Sequence, residues 1–216
     1  MGTRMKELTK NTPKPLLKIE DQTLLEHNLT AMPDEIDEVV LVVGYLKEQI
    51  QNLIGNEFLG KKITYVEQKE LKGTGHALMQ CKDVLHDNFL VMMGDDLYYE
   101  KDLEKLVKNP LAILVIDLQT EDLKDSRQAI VKINEHGDLE DIIERQPALK
   151  GTLVNTGAYV INEDYFKYPL VPAGNQTSEF GLPQTFLQLV KNGAKVTVVK
   201  AQWWHKVASP EDLKLK

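Results

Sequence analysis

The strongest constraint in this chain is a rhythm in which short, unbroken, β-branched apolar runs alternate with stretches of helical patterning. Glu38 to Val43 is a short, β-branched, continuous run that reads as a buried strand. Gly44 follows it, and then a helix to Ile54. Further strands are predicted over 63–67, 88–93, 111–116 and 195–199. Helices are predicted over 24–32, ended by Pro33, over 74–85 and 100–108, and over 182–192, stopped by Gly193. Residues 129–133 and 139–143 read as a hairpin turning at His136-Gly137-Asp138, and 153–161 as one more strand. Such alternation builds βαβ units, so an α/β fold with a largely parallel sheet is predicted. No repeat, linker or low-complexity segment interrupts it, and residues 1–216 are read as one domain.

The length suits one well-packed α/β domain and is short for two. No apolar run approaches a membrane span, and no charged-then-apolar signal segment opens the chain, so a cytoplasmic location is expected. A net charge of −7 speaks against nucleic acid or an anionic membrane as partner. An anionic ligand must therefore meet local cations. Cys81 is alone, which excludes an internal disulfide and a cysteine metal cluster and points to core packing. His27, His76, His86, His136 and His205 show no ligand spacing, which speaks against zinc.

Three loop blocks carry chemistry. At the start of the chain, Gly2 and Thr3 supply backbone and hydroxyl donors and Arg4 a planar cation, a set matched to a polyphosphate. Lys14, between Pro13 and Pro15, is a second cation expected on a stiff extended segment. The second block runs from Gln68 to Gly73-Thr74-Gly75 and joins a strand end to a helix start, where open α/β sheets bind ligands. Its glycines permit close backbone approach, Thr74 can cap the helix, and Gln68 offers the donor and acceptor that suit uracil or thymine. A dinucleotide G-x-G-x-x-G is a poor match, since Leu78 stands at the third glycine. The third block, Gly94-Asp95-Asp96, closes a buried strand. Asp95 is read as the carboxylate delivered to the crevice for Mg²⁺, and Asp96 as the N-cap of the next helix. Singly, each block has a bland reading: a frayed terminus, a solvated glutamine, a helix cap.

Together, the spacing G-T-R-M-x-x-L-T-x-x-x-P-K-P-L-L and the two later blocks resemble the signature of the sugar-1-phosphate nucleotidyltransferases. Within that family the resemblance is to uridylyltransferases acting on glucose or N-acetylglucosamine 1-phosphate and to thymidylyltransferases. It implies a Rossmann-like three-layer fold with a mixed, mostly parallel sheet. It also implies transfer of a nucleotidyl group from UTP or dTTP to a sugar-1-phosphate, with pyrophosphate released, Mg²⁺ as cofactor and no covalent intermediate. Arg4, Lys14 and Asp95 would then be catalytic, with Asp95 holding the metal. Gly2, Thr3, Gln68, Gly73 and Thr74 would bind the nucleotide. Glu144 and Arg145, before Gln146-Pro147, would bind the sugar phosphate, as would Asn155 in Asn-Thr-Gly157 and Glu179 in Ser178-Glu-Phe-Gly181. Homo-oligomerisation is left open.

Departures from the family pattern stand beside these matches. Relatives begin with an apolar strand and an Ala-Ala-Gly turn, whereas this chain starts inside the loop, so the usual first strand is read as absent and the domain as truncated at its N-terminus. The stretch Trp203-Trp204-His205-Lys206 resembles the closing element in which relatives carry a second metal-binding aspartate, here replaced by Lys206. Gln128-Ala129 stands where many relatives have Tyr-Gly. These features keep a rival in view, a catalytically impaired nucleotide- or sugar-binding regulatory homologue on the same fold.

Overall fold

The computed structural model describes residues 5, 7–119, 127–174 and 177–214. A small hairpin of β1 (Lys18–Ile19) and β2 (Gln22–Thr23) feeds α1 (Leu24–Ala31). The Thr23 hydroxyl accepts the Glu26 N–H while the Glu26 carboxylate accepts the Thr23 N–H, and this reciprocal pairing starts the helix. Then come β3 (Glu38–Val43), α2 (Lys47–Ile54), β4 (Glu57–Phe58), β5 (Lys61–Glu67) and α3 (Thr74–Met79). They are followed by β6 (Asn88–Val91), β7 (Asp96–Tyr98), α4 (Glu100–Leu106) and β8 (Ala112–Asp117). The hairpin β9 (Arg127–Ile133) and β10 (Leu139–Pro147) precedes β11 (Leu153–Asn162), α5 (Leu182–Lys191), β12 (Thr197–Ala201) and β13 (Trp204–Lys206).

One sheet has the order β3-β5-β4; a larger one runs β10-β9-β11-β8-β12, with β6 also on β11; β7 and β13 form a separate pair. The mixed α/β architecture is the one expected, but its parallel share is smaller than "mostly parallel". Among the described pairings, β3–β5 and β8–β12 are parallel and the rest antiparallel. The reason is β11, a long strand that lies mid-sheet and runs against β6, β8 and β9 alike. Both β3 and β6 line one apolar cavity of about 770 Å³ with Leu25, Leu78 and Leu182. Among the described residues no strand pairs with their second edges, where the family's first strand was expected.

Alternation along β8 generates the layers. Ile113 and Val115 join the cluster of α3 and α5 side chains, which includes Leu78, Leu182 and Phe186. Ala112 and Leu114 point the other way, to Leu103 and Leu106 of α4. A third cluster fastens α1 and α2 to β3 and β5 through Leu29, Ile50, Val39 and Ile63. Phe186 and Tyr159 meet edge to face at 5.2 Å in the largest core. Each such fully buried side chain contributes about 1.5–3 kcal/mol relative to exposure.

Several local expectations change. Helix α3 ends at Met79, and turns carry the chain past Cys81, whose carbonyl accepts the Val84 and Leu85 N–H groups. Cys81 is buried, and burial pushes its thiol up to about 11, as core packing requires. Asp96 does not cap α4. The N-cap position is Tyr99, without a side-chain cap, because β7 intervenes between the Gly94 turn and the helix. The three-residue strands β7 and β13 are too short to show periodicity in sequence.

Candidate active site

The segments just past β3 and β6, with α2, meet the segment 10–15. Tyr45, just past β3, donates to the Lys10 carbonyl at 3.3 Å, and Gln49 of α2 to the Asn11 carbonyl at 2.9 Å. At the far end, Lys14 Nζ lies 2.7 Å from Asp95 Oδ2, just past β6, with side chains 25% and 41% exposed. The two charged groups singled out from separate sequence blocks are therefore in direct contact, 81 positions apart in the chain. Lys14 does not sit on an extended stretch. It opens a 3-10 turn, Lys14–Leu16, after an extended Pro13. Gly2, Thr3 and Arg4 lie outside the described residues.

The loop after β5 is held by its own side chain. Gln68 Nε2 is 3.0 Å from both the Gly73 carbonyl and His76 Nδ1. Gly73 has φ +89°, and a Cβ there would stand 2.5 Å from the Phe180 carbonyl oxygen, so the position requires glycine. Main-chain bonds seal the contact: Phe180 N–H to the Lys72 carbonyl at 2.7 Å and Gly75 N–H to the Phe180 carbonyl at 2.9 Å. Thr74 does not cap α3, as expected from sequence, because its hydroxyl accepts the Leu182 N–H at 3.1 Å across the molecule. Glu179 is exposed, and its Cβ lies 3.0 Å from the position of a Cβ on Gly73. A candidate nucleotide loop and a candidate sugar residue thus share one wall.

The Asn-Thr-Gly element is a bulge in β11. Pairing with β8 shifts register between Asn155 and Tyr159. Asn155 Oδ1 accepts the Gly157 N–H at 2.9 Å, and its amide donates to the Tyr159 hydroxyl at 2.6 Å. Gly157, at φ +83°, packs on Met93, the residue before the Gly94 turn, where a Cβ would come within 2.6 Å of Met93 Cγ. Tyr98 ties the same corner by donating to the Thr156 carbonyl and accepting the Met93 N–H.

Electrostatics separate the carboxyls. Asp96 is 8% exposed, and its Oδ1 accepts the Val207 N–H at 3.1 Å. Burial, and then the neighbouring Asp95 charge, push its carboxyl up to about 7. Burial also raises Glu144, opposed by a hydrogen bond with Gln184 and by the charges of Lys206 and Arg145. Arg145 is exposed at φ +57°, at an irregularity in the β9–β10 pairing. Lys206 Nζ donates to Gln128 Oε1 at 2.9 Å and lies 5.9 Å from the centroid of the Trp204 ring. Gln184 carried no signal in the sequence, and Gln128 was marked only as a departure. Asp96 belongs to the wall of the site, not to a helix cap.

For a divalent cation, Asp95 is the available carboxylate at the crevice, since Asp96 is buried and engaged. No group of three or more His, Cys, Asp or Glu able to hold a metal occurs among the described residues. A single exposed carboxylate fits a Mg²⁺ that shares its remaining positions with phosphate oxygens and water. No described helix is long and apolar enough to cross a membrane.

Comparison with known proteins decides the family, because the nucleotidyl transferase model matches residues 1–214, nearly the whole chain. This chain belongs to the nucleotidyl transferase family. It is 30% identical over 213 residues to the bifunctional protein GlmU of Methanocaldococcus jannaschii, covering 98% of this chain and 50% of that one. It therefore spans about half the length of that relative. Identity is 27% to the UTP–glucose-1-phosphate uridylyltransferase AglF of Haloferax volcanii, covering 98% of this chain and 89% of the relative. A solved Bacillus anthracis structure, a putative glucose-1-phosphate thymidylyltransferase in complex with a sucrose, superposes with a TM-score of 0.79. At 21% identity over 98% of this chain and 88% of that one, it shows the family's fold.

Proposed function

We propose that the protein transfers a nucleotidyl group from UTP or dTTP to a sugar-1-phosphate. A phosphate oxygen of the sugar-1-phosphate attacks the α-phosphorus in line. The new P–O bond forms as the bond from the α-phosphorus to the bridging oxygen breaks, and pyrophosphate departs with that electron pair. No covalent enzyme intermediate is needed, so the work of the protein is positioning and charge stabilisation. The observation that carries this reading is the Lys14–Asp95 contact at 2.7 Å, at the end of β6.

In this reading Lys14 swings from Asp95 to the triphosphate, and Arg4 assists it. Mg²⁺, bound by Asp95 together with phosphate oxygens, would supply charge neutralisation between the two substrates. Gln68 and the backbone at Gly73 and Thr74 face the base, with Gly2 and Thr3 at the phosphates. Glu144, Arg145, Asn155 and Glu179 line the sugar-phosphate side. A pyrophosphate-release screen across nucleoside triphosphates and sugar-1-phosphates with Mg²⁺ tests the proposal, which expects turnover with UTP or dTTP.

One observation favours a second reading. Lys206 is the register partner of Asp96 across β7–β13, so an ammonium stands where relatives are expected to carry a second metal carboxylate. A regulatory homologue that binds nucleotide or sugar without turnover would give silence across the whole panel with calorimetric binding retained.

A further inference from the structure

Lys206 sits between the two halves of the site. Directly opposed residues of an antiparallel pair present their side chains on one face, which sets Lys206 beside Asp96 and next to the turn that carries Asp95. On its other side its charge reaches the half-buried carboxyl of Glu144. Its ammonium rests on a neutral acceptor, Gln128 Oε1 at 2.9 Å, and near the face of Trp204. No carboxylate forms an ion pair with it among the described residues. Lys206 is itself exposed. A cation so placed gives up little when an anion replaces a neutral carbonyl oxygen.

On the reaction proposed above, the acceptor phosphate approaches an α-phosphorus held near Asp95, on the side where Asp96 and Glu144 stand about Lys206. An anionic phosphate brought among carboxyl groups calls for a resident counter-charge, because close like charges repel at the dielectric of a protein surface. We infer that Lys206 is the residue that binds the phosphate of the sugar-1-phosphate, holding that group without a metal ion. The inference rests on the reaction proposed above and assigns its acceptor subsite. It makes the lysine a working replacement for a carboxylate-bound cation.

The test uses the full chain in EDTA, titrated calorimetrically with α-D-glucose 1-phosphate, N-acetyl-α-D-glucosamine 1-phosphate and the two unphosphorylated sugars. The parent is expected to bind at least one of the phosphates. Lys206→Met should weaken that binding about 10- to 100-fold, and Lys206→Arg only a few-fold, with unphosphorylated sugar unaffected. Thermal melts of the variants should match the parent, as for an exposed side chain. Equal binding by Lys206→Met and the parent would overturn the inference, as would a parent that binds neither phosphate until Mg²⁺ is added. The pyrophosphate screen separates the two ideas. Turnover by Lys206→Met with an unchanged KM for the sugar phosphate defeats the Lys206 assignment and leaves the reaction standing. A silent parent that still loses metal-free phosphate binding on Lys206→Met defeats the reaction and leaves the phosphate site.

Discussion

Lys14 and Asp95 join the opening segment of the chain to the end of β6 through one ion pair of 2.7 Å. Both side chains remain partly exposed, so the pair contributes little to stability, about 0–1 kcal/mol. Its value is positional. Lys14→Met and Asp95→Asn should each lower kcat for pyrophosphate release by about two to three orders of magnitude. Both should leave the melting temperature within a few degrees of the parent. The double variant should fall far short of the product of the two losses, because both residues serve one charge cluster. Steady-state kinetics beside thermal melts check this, and near-parental turnover by either single variant refutes the assignment.

Gly73→Ala should be costly where Gly137→Ala is mild. Both glycines have positive φ, but a Cβ on Gly73 meets the Phe180 carbonyl at 2.5 Å whereas one on Gly137 meets nothing within 4 Å. Urea denaturation should show a loss of about 2–4 kcal/mol at Gly73 and about 1 kcal/mol at Gly137. The Gly73 variant should also raise the KM for nucleotide, since its loop would be pried from Phe180.

Asp96 sets a pH dependence. Its folded-state value of about 7 lies above that of an unfolded aspartate, so the folded protein holds this proton more tightly. Stability is therefore highest toward acid and falls as pH rises from about 4 to about 7, levelling off above that. The contribution is on the order of 2–4 kcal/mol. Asp96→Asn should flatten this fall, making the variant gain on the parent between pH 5 and pH 8 in urea midpoints. Glu144, raised by burial, leaves a smaller slope of the same sign. An unchanged pH profile in Asp96→Asn would contradict this account.

Asp102 anchors the strand that delivers Lys206. It is fully buried and accepts the Gln202 N–H at 2.6 Å, the Trp203 N–H at 3.3 Å and the Gln202 side-chain amide at 3.1 Å. Asp102→Ala removes the shared acceptor of those donors and should cost about 1–3 kcal/mol. Hydrogen exchange should then rise across residues 202–207 before it rises in β8. Protection unchanged there would mean that the corner is held by other contacts.

The apolar runs predicted β3, β5, β8 and β12 within two residues, although only β8 is buried along most of its length, and β3, with Val42 exposed, is not covered on both sides as its sequence suggested. The positions of Asp95 at the end of β6 and of Gln68 at the end of β5 followed from the apolar runs before them, but the prolines did not give Lys14 its geometry, since it opens a 3-10 turn and not the extended stretch expected. The antiparallel course of β11 was not legible, as a buried strand reads the same in either direction. Nor were the uses made of Thr74 and Asp96, whose polar groups bond Leu182 and Val207 more than a hundred positions away.

Sequence alone determined the longer strands and helices, the blocks that carry charge and the family pattern, all of which depend on spacing within a few residues. Only the tertiary structure decided that Lys14 touches Asp95, that Gly73 rests on Phe180, and that Lys206 stands opposite Asp96 between the two halves of the site. Those relations arise when distant strands are brought side by side, and hydrophobic burial, which brings them there, depends on apolar area and not on which polar groups come to face one another.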